Sequence, residues 1–404
     1  MEHVMDVVMV SLVLAGLGVV TAGAAETLKP GSFGDDMAFL KKHTDVFVLR
    51  NEAGNARVAV VPQYQGRVMT STAGGDAGDS FGWINRGPIA SGELQPHINV
   101  FGGEDRFWMG PEGGQYAIFF PEGAKFDFEV WQTPAVIDSE PYDTVRKSDT
   151  SATFQKEATL TNWSGTELNV GIERTIRLVN EVPDVDVPEA IQWVAYESEN
   201  TLRNTGDAPW KKDTGLLSIW ILGMYKPAEE MTIVLPFKPG PEEELGPEVN
   251  DAYFGKVPAD RLIVKDDVLF FKGDGKQRGK IGIAPQRAKP VAGSYDAAGK
   301  VLTIVTYTLP EGATDYVNSM WELQDAPYAG DVVNSYNDGP PEPGKPPLGP
   351  FYELETSSPA APLEPGSSIT HVHRTYHFQG PEDALDALAV HFLGVNLATI
   401  KAAF

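Results

Sequence analysis

Leu168-Asn169-Val170-Gly171-Ile172-Glu173-Arg174-Thr175-Ile176-Arg177-Leu178 sets apolar side chains two residues apart, with polar ones between. Successive strand residues face opposite ways, so a period of two reads as a half-buried β-strand. The same texture runs outward in both directions. Arg57-Val58-Ala59-Val60-Val61 reads as a strand, and Val301-Leu302-Thr303-Ile304-Val305-Thr306-Tyr307 has the β-branched and aromatic make-up that strands favour. Ile263 to Phe271 reads as two short strands around the acidic turn at Asp266-Asp267. Helical signals stand only near the ends. Asp35 to Lys42 opens on acids and closes on lysines, as the helix dipole prefers. After Gly380-Pro381, the residues Leu385, Leu388, Ala389, Phe392 and Leu393 form one apolar stripe that stops at Gly394. The Pro-rich run 339–350 can be neither helix nor central strand, and reads as a stiff extended loop. The segment after it is too small to fold alone, which argues against a domain linker. The expectation is one large all-β domain over residues 25–404, with a short N-terminal helix, a C-terminal helix at about 381–393, and loops around 224–260.

Composition narrows the function classes. The 404 residues include no Cys, so disulfides and thiolate metal sites are excluded. A net charge of −24 speaks against nucleic-acid binding, which needs a basic face. The 41 Gly and 31 Pro fit a turn-rich β protein. Val7 to Val20 is apolar or small except for Ser11, and Ala22 and Ala24 then offer an A-x-A cleavage signal. Residues 1–24 are therefore expected to be a signal peptide, although Glu2 and Asp6 replace its usual basic start. A retained anchor and a buried helix are the alternatives. An exported protein without Cys fits a bacterial periplasm or exterior. No second membrane-length apolar run follows, so no membrane span is expected after cleavage.

Three polar clusters could carry chemistry. His97 to Gln115 combines four glycines with Asn99, Glu104, Asp105, Arg106, Trp108 and Glu112. Glycines allow close approach, Trp108 offers a flat apolar platform for a sugar ring, and the polar groups can address hydroxyls. No phosphate-binding glycine motif is present. A tight loop with self-paired charges is the plain alternative. Asn334 to Gly339 includes Asn337 and Asp338, and by itself is ordinary turn chemistry. Glu353 and Glu355 lie two apart, so an extended backbone puts both carboxylates on one face, where repulsion raises one pKa. An exposed strand face would explain the pair as well. His371, His373 and His377 share one parity, which suits either a metal or a solvated face. With no third ligand identifiable, no metal and no other cofactor is expected.

The order of these motifs resembles the galactose mutarotase-like (aldose 1-epimerase) superfamily. The residues that carry it are Leu354-Glu355-Thr356, then Leu363-Glu364-Pro365-Gly366 with the final strand through Tyr376-His377-Phe378, Gly102-Gly103 with Trp108, and Pro62 to Val68. The resemblance covers roughly residues 45–380 and implies a supersandwich of antiparallel sheets, as in exported bacterial members of that superfamily. It implies Glu355 as the base that takes the anomeric hydroxyl proton, with His97 or Asp105 as acid. Arg67, Asn99, Glu104, Arg106, Trp108, Asn337, Asp338 and Glu353 would then bind the sugar. The family's mid-chain acid histidine has no counterpart, since no His lies between His97 and His371. The same fold serves lyases, hydrolases and non-catalytic sugar binders. The expected function is therefore an exported carbohydrate-active protein with epimerase-like chemistry. The alternatives are sugar binding without turnover, glycan cleavage, or a purely structural envelope domain. A sugar or oligosaccharide is the expected partner. The acidic surface favours a neutral one.

Overall fold

The computed structural model describes residues 28–404. The expected signal peptide lies outside the described residues.

Three antiparallel sheets make up the fold. The first joins β1 (Phe47–Arg50), β2 (Arg57–Val61) and β3 (Arg67–Thr72). Helix α1 (Phe33–His43) packs Phe33, Met37 and Leu40 onto Ala59, Val61 and Met69 of this sheet. Ser32 caps the helix by accepting from the Asp35 amide, and Lys41 and Lys42 close it.

A five-stranded sheet carries the polar clusters. Its order is β13 (Gly279–Ile283), β16 (Val333–Asn337), β17 (Tyr352–Ser357), β9 (Ser218–Tyr225) and β4 (Arg106–Gly110). Behind it lies a ten-stranded sheet. From one edge this runs β11 (Leu262–Lys265), β12 (Val268–Lys272), β10 (Met231–Pro236), β14 (Val291–Asp296) and β15 (Val301–Tyr307). It continues through β18 (Ser368–Gln379), β8 (Gln192–Asn204), β7 (Glu167–Leu178), β6 (Ser151–Thr161) and β5 (Asp143–Lys147).

The core fills the space between these two sheets. Ile281, Val333 and Leu354 meet Ile233, Phe271 and Val305 at one end. Phe107, Ile219 and Ile221 meet Phe154, Ile172 and Val194 at the other. The outer face of the large sheet is closed by α5 (Glu382–Leu393) and α6 (Leu397–Lys401), whose leucines pack on Phe270, Ile304 and Phe378. Short helices α2 (Arg86–Ser91), α3 (Ala135–Asp138) and α4 (Glu242–Leu245) sit in connections. They are one or two turns long and lack a long apolar stripe, which is why periodicity does not reveal them. No described helix is long and apolar enough to cross a membrane.

The strand that opens the sequence reading is β7. Its inward positions are Leu168, Val170, Ile172, Arg174, Ile176 and Leu178, all buried. Arg174 occupies an apolar slot, and the reason becomes clear at the site.

Candidate active site

Directly paired residues of antiparallel strands share a face. In the five-stranded sheet Arg106 pairs with Leu222, Trp108 with Trp220, Leu222 with Glu355, Glu355 with Asn334, and Tyr336 with both Glu353 and Lys280. The face turned away from the large sheet therefore holds Arg106, Trp108, Trp220, Asn334, Tyr336, Glu353, Glu355 and Lys280. Loops cover it, so these groups are buried although they lie outside the inter-sheet core.

Glu355 is at the centre, with 0% exposure. Its Oε2 accepts from Lys280 Nζ at 2.8 Å and from Trp220 Nε1 at 3.0 Å. Its Oε1 is buried and has no hydrogen-bond partner. Such an oxygen is open to a hydrogen bond from a hydroxyl or a water molecule. Next to it Arg106 Nη2 donates to Glu353 Oε1 at 3.0 Å, and the guanidinium lies 4.2 Å from the centre of the Trp108 ring. Burial pushes the Glu353 carboxyl up to about 8; Arg106 opposes the shift and Glu355 adds to it. The two carboxyls thus share a face, as the strand period requires, and the raised pKa belongs to Glu353.

An aromatic wall borders the cluster. Trp108 meets Trp220 edge-on at 5.5 Å and Phe119 at 5.2 Å. Phe119 stacks on Trp131, and Trp131 stacks on Trp321 at 5.8 Å. Trp321 is 36% exposed, and its Nε1 donates to Glu112 Oε1 at 3.1 Å. Trp108 is therefore no open platform: Arg106 lies over its face and neighbouring rings crowd it. On the opposite side Tyr253 donates to Asp331 at 2.6 Å, and Lys280 lies 5.3 Å from the Tyr253 ring.

The other residues singled out by the sequence go elsewhere. Asp105 points between the sheets and forms a fully buried pair with Arg174 at 2.5 Å. Arg174 also donates to the Asn200 side chain and to the Gly66 and Asp105 carbonyls, so every arm of the guanidinium is held. Glu104 lies there too, accepting from the Ser71 amide and hydroxyl, Tyr196 and His377. Arg67 is buried against Gly102 O and Gln65 Oε1, and Asn99 binds the Asp138 carboxylate. His97 is partly exposed at φ 68°, with Nδ1 2.6 Å from Trp131 O and its ring against Phe128. Asn337 accepts from the Gly275 amide on the inward face, and Asp338 accepts from Tyr336 and the Gly349 amide. Of the eleven candidates the structure brings together Arg106, Trp108, Glu353 and Glu355.

His371, His373 and His377 are buried, which corrects the solvated-face reading. Thr356 Oγ1 lies 2.8 Å from His371 Nε2 and 2.9 Å from His373 Nδ1. Burial lowers His371 to about 3 and His373 to about 4, so both are neutral. Among the described residues no group of three or more His, Asp or Glu side chains is placed to hold a metal ion.

Lys280, Trp220, Trp131, Trp321 and Tyr253 carry no motif in the sequence. They join the site only through strand register and loop packing.

A model of a family of unknown function, DUF6786, matches residues 31–404. No curated protein matches the chain. Similar solved structures include a Synechocystis sp. PCC 6803 protein, at 14% identity over 83% of this chain and 96% of that one, with a TM-score of 0.49. A galactose mutarotase-like protein from Lactobacillus casei ATCC 334 is 11% identical over 82% and 99%, with a TM-score of 0.48. A galactose mutarotase related enzyme from Lactobacillus acidophilus is 9% identical over 83% and 97%, with a TM-score of 0.44. The superfamily that the motif order resembles is thus represented among the solved structures similar to this chain.

Proposed function

The chain belongs to DUF6786, a family of unknown function, and from that premise we propose that it is a carbohydrate-active protein that does acid–base chemistry on a neutral sugar, with Glu355 as the base. The observation that carries this reading is the Glu355 carboxylate itself. One oxygen is anchored by Lys280 and Trp220, while the other is buried and unpartnered. An anchored carboxylate with one free oxygen is placed to accept a proton from a substrate hydroxyl. Arg106 and Glu353 beside it supply a donor and an acceptor for further hydroxyls. The surrounding indoles make the cluster's border apolar, while Arg106 and Lys280 lie over the Trp108 and Trp220 rings. A neutral sugar is favoured because burial pushes the Glu353 carboxyl up to about 8 and also raises Glu112, Asp331 and Asp338. An anionic substrate would add like charge to a face that already resists holding it. The apolar run Val7 to Val20 supports export as the setting of this activity.

Anomer exchange followed by NMR over a panel of aldoses tests the reading. Acceleration by the wild type and a loss of about 100-fold or more in Glu355→Gln are expected, the scale of one general base. No acceleration with any aldose would sink it. A second reading, binding without turnover, is favoured by the Lys280 contact, since Glu355 Oε2 is already committed to an ion pair within the protein. Saturable sugar binding without exchange would select that reading.

A further inference from the structure

Asn99 stands away from the Glu355 cluster, and the place where it stands is concave. A cleft of about 480 Å³ opens between residues 94–99, 118–121 and 132–139, all outside the strands. That volume lies within the range of about 300–1,000 Å³ usual for small-molecule sites. Its lining is of two kinds. Ile118, Phe119, Phe120 and Pro134 supply carbon surface, while Asn99, Thr133 and Asp138 supply polar groups. Asn99 and Asp138 are locked together. Both Asp138 oxygens accept from the Asn99 amide at 3.1 Å, and Oδ2 also accepts from Asn99 Nδ2 at 2.7 Å. Asn99 Oδ1 accepts from the Gln95 amide at 2.8 Å. Thr133 differs. It is 1% exposed and its amide donates to the His97 carbonyl at 2.9 Å, yet its Oγ1 is buried with no hydrogen-bond partner. A hydroxyl in that state has both a donor and an acceptor left to offer. Among the described residues no Lys, Arg or His lines the cleft.

We propose that this cleft is a second binding site, which takes one neutral sugar unit without turning it over. Thr133 and the Asn99–Asp138 pair would address its hydroxyls, and the apolar residues its C–H surface. A sugar ring carries both kinds of surface, which is the mix that the lining offers. An anion would find no cation there and would face the Asp138 carboxylate. A purely apolar ligand would cover Asn99 and Asp138 and leave Thr133 unpartnered. The site is separate from the chemistry proposed above, because none of Glu355, Glu353, Arg106 and Lys280 lines it. It is a close neighbour, because Phe119 lines the cleft and also packs on Trp108 at 5.2 Å. The inference therefore does not depend on the role given to Glu355.

The test is a titration of the intact protein with glucose, galactose, maltose and cellobiose, read by NMR at the methyl groups of Thr133 and Ala135. Ala135 lines the cleft and is exposed. At least one of these sugars, at millimolar concentration, should shift both methyls saturably, and equally in wild type and Glu355→Gln. Thr133→Val keeps the shape and removes the hydroxyl. It should weaken the binding about 2–10-fold, the loss of one hydrogen bond. Its unfolding midpoint should not fall, since the hydroxyl has no partner within the protein to lose. Ala135→Trp fills the cleft from an exposed position and should abolish the shift at Thr133. Shifts with none of the four sugars would overturn the proposal. Wild-type affinity in both Thr133→Val and Ala135→Trp would also overturn it, since the sugar would then sit elsewhere. Shifts caused by acetate alone would make the cleft an anion site, and shifts lost in Glu355→Gln would make it part of the Glu355 site. Either result counts against a separate sugar site. Absence of anomer exchange in the same samples would sink the Glu355 reading and leave this one standing.

Discussion

At the scale of single residues the decisive fact is that neighbours on a strand part company. Asp105, Arg106 and Trp108 read as one cluster in the sequence, yet Arg106 and Trp108 face the loops while Asp105 faces Arg174 between the sheets. A pair buried to 0% on both sides is expensive to break, because the surviving charge has nowhere to go. Arg174→Met should destabilise the fold by about 3–5 kcal/mol, read from urea unfolding midpoints. A change under about 1 kcal/mol would mean that the charge is not truly isolated. The histidines give a pH prediction. His371 and His373 titrate near 3 and near 4 in the folded protein, against about 6.5 in an unfolded chain. Their folded pKa values are depressed, so their contribution is complete above about pH 6.5 and is lost as pH falls toward 4. Unfolding midpoints taken from about pH 7 down to about pH 5 should drop more steeply for the wild type than for His371→Gln/His373→Gln. Equal slopes would refute the neutral, buried state. Glu353 works in the opposite direction, and comparing the two proteins cancels it.

At the scale of elements, β18 shows where local pattern runs out. Its period of two puts His371, His373, Thr375 and His377 on one face and Tyr376 and Phe378 on the other, and both assignments were legible. Taken alone, the pattern reads as polar side to water. Here the apolar side lies under α5 and the polar side lies inside, where Thr356, Thr303 and Glu104 satisfy it. The helix itself was legible from its stripe, because every leucine in it is decided by a neighbour three or four residues away. Leu388 is fully buried against the large sheet, so Leu388→Ala should cost about 2–5 kcal/mol by thermal or urea unfolding. A loss well below that range would mean that the helix is only loosely docked. β17 was legible in the same way. Glu353 and Glu355 were expected on one face and stand on one face, but their burial under loops was not visible from the strand.

At the scale of the whole molecule the acidic balance matters. A net charge of −24 repels itself across the surface, and most of that repulsion runs between exposed groups that salt can screen. Raising NaCl from about 20 mM to about 0.5 M should therefore raise Tm by a few degrees. A fall would mean that exposed ion pairs such as Arg57–Asp76 outweigh the repulsion. The site is also a whole-molecule feature. Lys280 reaches Glu355 across 75 positions of sequence, and Arg106 reaches Glu353 across 247.

The sequence by itself determined the all-β class, the strands with a clear period of two, the terminal helices and the pairing of Glu353 with Glu355 on one strand face. Each of these depends on residues two, three or four apart, within reach of backbone geometry alone. The tertiary structure decided which face of each strand is inside, why Arg174 and three histidines are buried, and that Lys280, Trp220 and Trp321 join Glu355. Those outcomes depend on register between strands far apart in the chain and on the loops laid over them, and only packing of the complete sheets sets either one.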